Sequence, residues 1–117
     1  SQDTISAVRK AVDTAVSEMD HDPSLCITTP NVLNTSGDNI LEGFKLSLGD
    51  TFPIFGGAAA DQHRVIQTFQ FHKDTVCSDA CPFLFITGPL RYSFGVETGW
   101  IPIGRKERVT KSNNNPK

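Results

Sequence analysis

A chain of 117 residues with net charge −2 carries no basic field, which excludes non-specific binding to nucleic acid or to an anionic membrane. Its 38% hydrophobic and 21% charged residues, with eight Phe, are those of one folded domain and not of a disordered chain. No apolar run approaches the ~20 residues that span a bilayer, and the first residues do not show the basic-then-apolar pattern of a signal peptide; a cytoplasmic setting is expected from the sparse, reduced cysteines taken up below.

Ile5, Val8, Val12, Ala15, Val16 and Met19 recur at helical spacing, with Arg9, Lys10, Asp13 and Glu18 between them. This predicts an amphipathic helix capped by Asp3 or Thr4 and stopped before Pro23. Residues 25–29 are rich in β-branched side chains and predict a strand. Residues 30–37 form a polar connection. Ser36 or Asp38 caps a second helix whose buried side is Ile40, Leu41, Phe44 and Leu48, and Gly49 sits where the chain leaves it. The apolar run 52–55 predicts a buried strand. Strand, helix and strand in this order make a βαβ unit, with its two strands parallel.

Beyond Asp61 the period changes to two. Residues 65–71 alternate, with Phe69 and Phe71 on one face and Thr68 and Gln70 on the other, and His72-Lys73-Asp74 turns the chain. Residues 83–86 are apolar on both faces, as in a central strand. Gly88-Pro89 breaks that run. Leu90, Tyr92, Phe94 and Val96 then alternate with Arg91, Ser93 and Gly95, a further strand. A last strand over 106–110 follows the 99–104 corner, and 111–117 reads as a polar, frayed tail. The expected fold class is α/β (α+β). Two helices pack on a mixed sheet of about six strands, a βαβ unit followed by an antiparallel meander, in a single domain over 1–117.

Cys26, Cys77 and Cys81 are too few, and odd in number, for a disulfide scaffold. Cys77-Ser-Asp-Ala-Cys81 lacks the spacing of a redox Cys-x-x-Cys and has no second pair to close a zinc site. Cys26 reads as a small core residue. Cys77 and Cys81 read as thiols beside a loop, with an oxidised pair as the alternative. A reducing compartment suits this usage.

The chain's candidate chemistry gathers around Phe52-Pro-Ile-Phe-Gly-Gly-Ala-Ala-Ala-Asp61. Gly56 and Gly57 can turn the chain and let another group approach closely. Two readings stand: a tight turn packed under a sheet, or a binding-site floor where bare N–H groups and the Asp61 carboxylate face a small ligand. Arg91 and Ser93 project from the strand face opposite Leu90 and Phe94. Arg91 could grip a carboxylate while Asp61 grips an amine, which would suit a zwitterionic amino acid. An Arg91–Asp61 ion pair or a solvated arginine is the other reading. Trp100 either walls such a pocket or belongs to the core.

Catalysis is not expected, because the chain has no Gly-x-Ser-x-Gly elbow and no paired carboxylates. His21, His63 and His72 are too far apart for a metal-binding pattern, so no metal site is expected. His63 is the one candidate for an axial haem ligand, against the plainer reading of an exposed loop histidine.

Pro53-Ile-Phe-Gly-Gly-Ala-Ala-Ala-Asp61, the hydrophobic strand into Gly88-Pro89-Leu90, Gly99-Trp100-Ile-Pro-Ile-Gly104 and Val109-Thr110-Lys111 occur in that order. From about Leu25 onward, their order and approximate spacing resemble the N-terminal FIST domain. The resemblance implies an intracellular sensory module. In bacteria such modules stand beside chemotaxis, histidine-kinase and cyclic-di-nucleotide output domains, and in eukaryotes with F-box proteins. It implies a small-molecule ligand, with amino acids proposed for the family and haem for some relatives.

The resemblance also implies that this chain is an excised part of a longer domain. Its partners would then be a C-terminal FIST region and a signalling output domain in the parent protein. Missing neighbours would leave apolar surface or open strand edges, which favour a homodimer. Two positions depart from the family pattern. Ala60 stands where Gly-Gly-x-Ala-Gly-Asp has its last glycine, and Cys77-Ser-Asp-Ala-Cys81 occupies what is a shorter turn in relatives. The expected function is a non-catalytic, ligand-binding sensory domain. The alternatives are a haem-based sensor and a protein-interaction module with no small ligand.

Overall fold

The computed structural model describes residues 1–97 and 99–111. Helix α1 (Gln2–Ser17) turns the Val8 and Val12 stripe inward. Its N-cap position is Ser1, earlier than the expected Asp3 or Thr4, and Asp3 lies in the first turn, where a negative charge complements the helix dipole. Strand β1 (Pro23–Thr28) follows, then helix α2 (Gly37–Leu48). The Ser36 hydroxyl caps α2 by accepting from the Asp38 N–H at 3.2 Å. Strand β2 (Ile54–Gly56) pairs in parallel with β1, Cys26 opposite Ile54 and Thr28 opposite Gly56. The βαβ unit forms as the sequence predicts.

The chain then leaves the sheet. Strands β3 (Phe69–His72) and β4 (Thr75–Ser78) make a separate antiparallel hairpin, from Phe69 opposite Ser78 to His72 opposite Thr75. Strand β5 (Phe83–Thr87) returns to pair antiparallel with the free side of β1, so the main sheet runs β2-β1-β5.

Helices cover one face of this sheet. Val8, Val12, Cys26, Ile40 and Phe44 form the buried cluster, with Ile54, Phe83 and Phe85 packed against it. Phe44 meets Phe83 edge-on, ring centres 5.4 Å apart and planes at 86°. Gly43 lets the helices approach closely, since a Cβ there would lie 2.7 Å from the Cβ of Val8. Among the described residues no helix is long and apolar enough to cross a membrane.

Several expectations change. Among the described residues there are five strands in two sheets, not about six in one, and the meander is replaced by the hairpin and β5. β5 is an edge strand and not a central one, because among the described residues it pairs with β1 alone, and Leu84 on its other face is 60% exposed. The strand expected over 65–71 contracts to 69–72, since Gln62, His63 and Val65 are left-handed (φ 59°, 65° and 54°) and belong to a loop.

The strands expected over 90–96 and 106–110 do not form. Alternation gives a segment a face, but a strand also needs a ladder to satisfy its N–H and C=O groups, and among the described residues no ladder forms with either segment. Leu41, expected on the buried side of α2, is exposed. The expected fraying of the tail concerns residues beyond Lys111 and lies outside the described residues.

Candidate functional site

The glycine bend closes on the protein itself. Gly56 has φ 150° and lies opposite Thr28, so a Cβ on it would overlap the Thr28 carbonyl oxygen. The close approach that a glycine permits is made here by the neighbouring strand. Nothing lies within 4 Å of a Cβ built on Gly57. Phe55 stacks against Tyr92 and Phe94, ring centres 5.5 and 4.9 Å away. These residues and Gly56 line a cleft of about 480 Å³ beside β2.

Asp61 organises the loop after the bend. Its carboxylate accepts from the backbone N–H groups of Val65 (3.0 Å), Ile66 (2.7 Å) and Gln67 (3.2 Å). The Ile66 N–H above all holds the carboxyl below its ordinary value of 3.8, partial desolvation opposes it, and Val65, Gln67 and Arg64 add to the lowering. A lowered carboxyl stabilises the folded loop above its unfolded value, and that contribution disappears as pH falls through the folded value. Amide exchange at Val65, Ile66 and Gln67 is therefore expected to be slow at neutral pH and to lose its protection on acidification below 3.8. In Asp61→Ala the protection is expected to be absent at neutral pH as well. NMR-detected exchange checks both, and equal protection in the variant removes this role.

Arg91 and Ser93 are exposed, as is Trp100 at 84%. Asp61 lines a second cleft, of about 390 Å³, separate from the one beside Gly56, and neither is lined by Arg91, Ser93 or Trp100. Asp61 and Arg91 form no ion pair. The structure thus brings Gly56 against Thr28 and Asp61 against its own loop, but does not bring the six expected residues together. An axial haem ligand needs an apolar slot around it. His63 is exposed on the Asp61 loop, so the residues present do not fit a haem.

A different set of residues builds an organised cleft at the carboxyl end of β1. Thr4, Ala7, Val8 and Ala11 recur at three- and four-residue spacing and share one face of α1. Asn31 and Thr35, from the connection after β1, form a second wall, and Asp79, Ala80 and Cys81 form the rim before β5. The cavity holds about 320 Å³. The small Ala7 and Ala11 side chains leave this space open.

Asn31 ties the rim down. Buried at 6% exposure, it donates its backbone N–H to the Ala80 carbonyl (2.9 Å) and its side-chain Nδ2 to Asp79 Oδ1 (2.9 Å). Its own Oδ1 accepts from the Leu33 N–H at 2.8 Å. Behind the rim, the buried Gln70 accepts from the Ala80 N–H at 3.2 Å and donates to Thr68 Oγ1 at 2.8 Å. Thr28 donates to the Pro82 carbonyl (2.8 Å) and lies 3.6 Å from Cys81 Sγ. Asp79 takes a left-handed φ of 55°, which Asp tolerates better than most residues.

Burial pushes the Cys26 thiol up to about 12, with Cys81 nearby adding to it. Burial also raises the Cys81 thiol, against a hydrogen bond from Thr28. Cys77 and Cys81 are both free thiols.

Sequence reasoning missed Asn31 and Asp79, which are 48 residues apart and form no local motif. The available signal was positional. In open α/β sheets ligands bind beyond the carboxyl ends of the strands, and Asn31 follows β1 by three residues.

The FIST N domain family matches residues 1–116. An uncharacterised protein of Methanocaldococcus jannaschii is 37% identical over 62 residues, a stretch covering 53% of this chain and 12% of that protein. The match thus spans about an eighth of that relative's length. No solved structure matches the chain. With nearly its whole length accounted for by one family, the chain belongs to the FIST N domains, sensory domains of signal transduction.

Proposed function

We propose that this chain is a non-catalytic small-ligand sensory domain, acting in the cytoplasm within a longer signalling protein, and that the cleft between α1 and the Asp79 rim holds the ligand. One observation carries this: the cleft is preformed. Asn31, Gln70 and Thr28 fix its rim by hydrogen bonds before any ligand arrives, so little ordering cost falls on binding. Its volume of about 320 Å³ is at the small end of ligand cavities, the size class of an amino acid. Raised Cys26 and Cys81 thiols stay protonated at neutral pH and make poor nucleophiles, which argues against thiol catalysis here.

Native mass spectrometry of the full-length protein tests the reading. A co-purified small molecule is expected in the wild type and not in Ala11→Phe, which fills the cleft from an exposed helical position. A wild type without any bound mass, or a variant that keeps it, overturns the assignment.

An interaction role alongside is favoured by the hairpin, where Phe69, Phe71 and Val76 are all more than half exposed. In a sensory domain such a surface suits contact with a C-terminal FIST region, an output domain or a second copy.

A further inference from the structure

We infer that the cleft at the carboxyl end of β1 selects a small monocation, a primary amine on a short branched apolar body, over an anion or a zwitterion. This rests on the reading that the cleft is the ligand site, and it names the ligand's chemical class. Among the described residues lining the cleft, Asp79 supplies the only formal charge, and none is Lys, Arg or His. Asp79 is itself exposed, so the discrimination is one of charge more than of desolvation: a carboxylate entering there would meet a second carboxylate with no lining cation to offset it.

The strongest donor is already half committed. Asn31 is the one amide in the lining, and one of its two Nδ2 hydrogens is given to Asp79. Its backbone N–H is given to Ala80. An ammonium group meets the opposite situation. Asp79 Oδ1 accepts from Asn31, and among the described residues no hydrogen bond is made to Oδ2, which keeps its acceptor capacity. The hydroxyls of Thr4 and Thr35, also in the lining, are further acceptors open to an ammonium N–H. Buried Val8 and Ile40, half-buried Phe83 and the exposed Ala7 and Ala11 offer an apolar surface to a branched hydrocarbon. The ion pair holds the head of the ligand, and the helix face holds its body.

Three probes with one carbon skeleton separate the charge classes: isoamylamine carries only the amine, 4-methylpentanoate only the carboxylate, and leucine both. Calorimetric titration of the protein is expected to give binding for isoamylamine, binding about tenfold weaker for leucine, and none for 4-methylpentanoate. Asp79→Asn is expected to weaken isoamylamine about tenfold, the loss of one charge-assisted hydrogen bond. The fold should survive that change, because Asn tolerates the left-handed backbone and its carbonyl can still accept from Asn31.

Leucine binding at least as tightly as isoamylamine, and lost in Ala11→Phe, overturns the charge class and leaves the cleft as the ligand site. Isoamylamine binding unchanged in both Asp79→Asn and Ala11→Phe places the amine elsewhere and overturns the inference. No binding by any probe, together with no co-purified molecule, sinks both readings. Should Asp79→Asn fail to fold, the rank order of the three probes and the Ala11→Phe result still decide.

Discussion

Phe44→Ala is expected to destabilise the protein by about 3–5 kcal/mol. The ring is completely buried (0% exposed), stands edge-on to Phe83 and joins α2 to the sheet through the central cluster. The cavity it leaves has little means of closing. Ser36 fixes one end of α2, and at Gly43 the helix already touches Val8. Against a typical domain stability of about 5–15 kcal/mol, such a loss leaves the native state marginal. Urea unfolding reads it as a lower midpoint with an unchanged slope. A cost below about 1 kcal/mol would mean that α2 does not seat on β5 through this ring.

The second large effect concerns the bend at the end of β2. Gly56→Ala is expected to cost about 3 kcal/mol or more, combining an unfavourable backbone conformation with a steric overlap. The added methyl would collide with the Thr28 carbonyl, and relief requires β1 and β2 to part at their last register pair. Gly57→Ala is the internal control, because nothing lies within 4 Å of its Cβ position. That change is expected to stay within about 0.5 kcal/mol. Thermal unfolding of the two variants side by side checks the pair. Equal losses would refute the account.

These two positions also show what could be read in advance. The βαβ unit was legible because its signals are local: the Ile40 and Phe44 spacing, the Ser36 cap, and two β-rich runs separated by one helix. Gly56 was legible as a place that excludes a side chain. The group approaching it was not legible, because only the register of β1 against β2 sets Thr28 there. Asp61 stood out as a singular carboxylate, while its partners are N–H groups four to six residues further along a loop with no side-chain signature.

Non-local pairing accounts for the rest. The 90–96 alternation looked like a strand, yet no ladder reaches it among the described residues. Thr75, Val76, Cys77 and Ser78 are too short a run to carry a period of their own, and pairing with β3 makes them the strand β4. The cleft needed the same kind of knowledge. Asn31 and Asp79 acquire their roles only when β5 folds back on β1 and carries the preceding rim with it.

Strand β3 has two sides with different work. Gln70 faces inward and grips Ala80, while Phe69 and Phe71 face outward, because neighbouring residues of a strand point opposite ways. Four residues of backbone therefore connect the lip of a cavity to a greasy outer surface. Whatever displaces Ala80 must either tilt those two phenyl rings or break the Gln70 grip, so occupancy inside the domain has a short lever to its exterior.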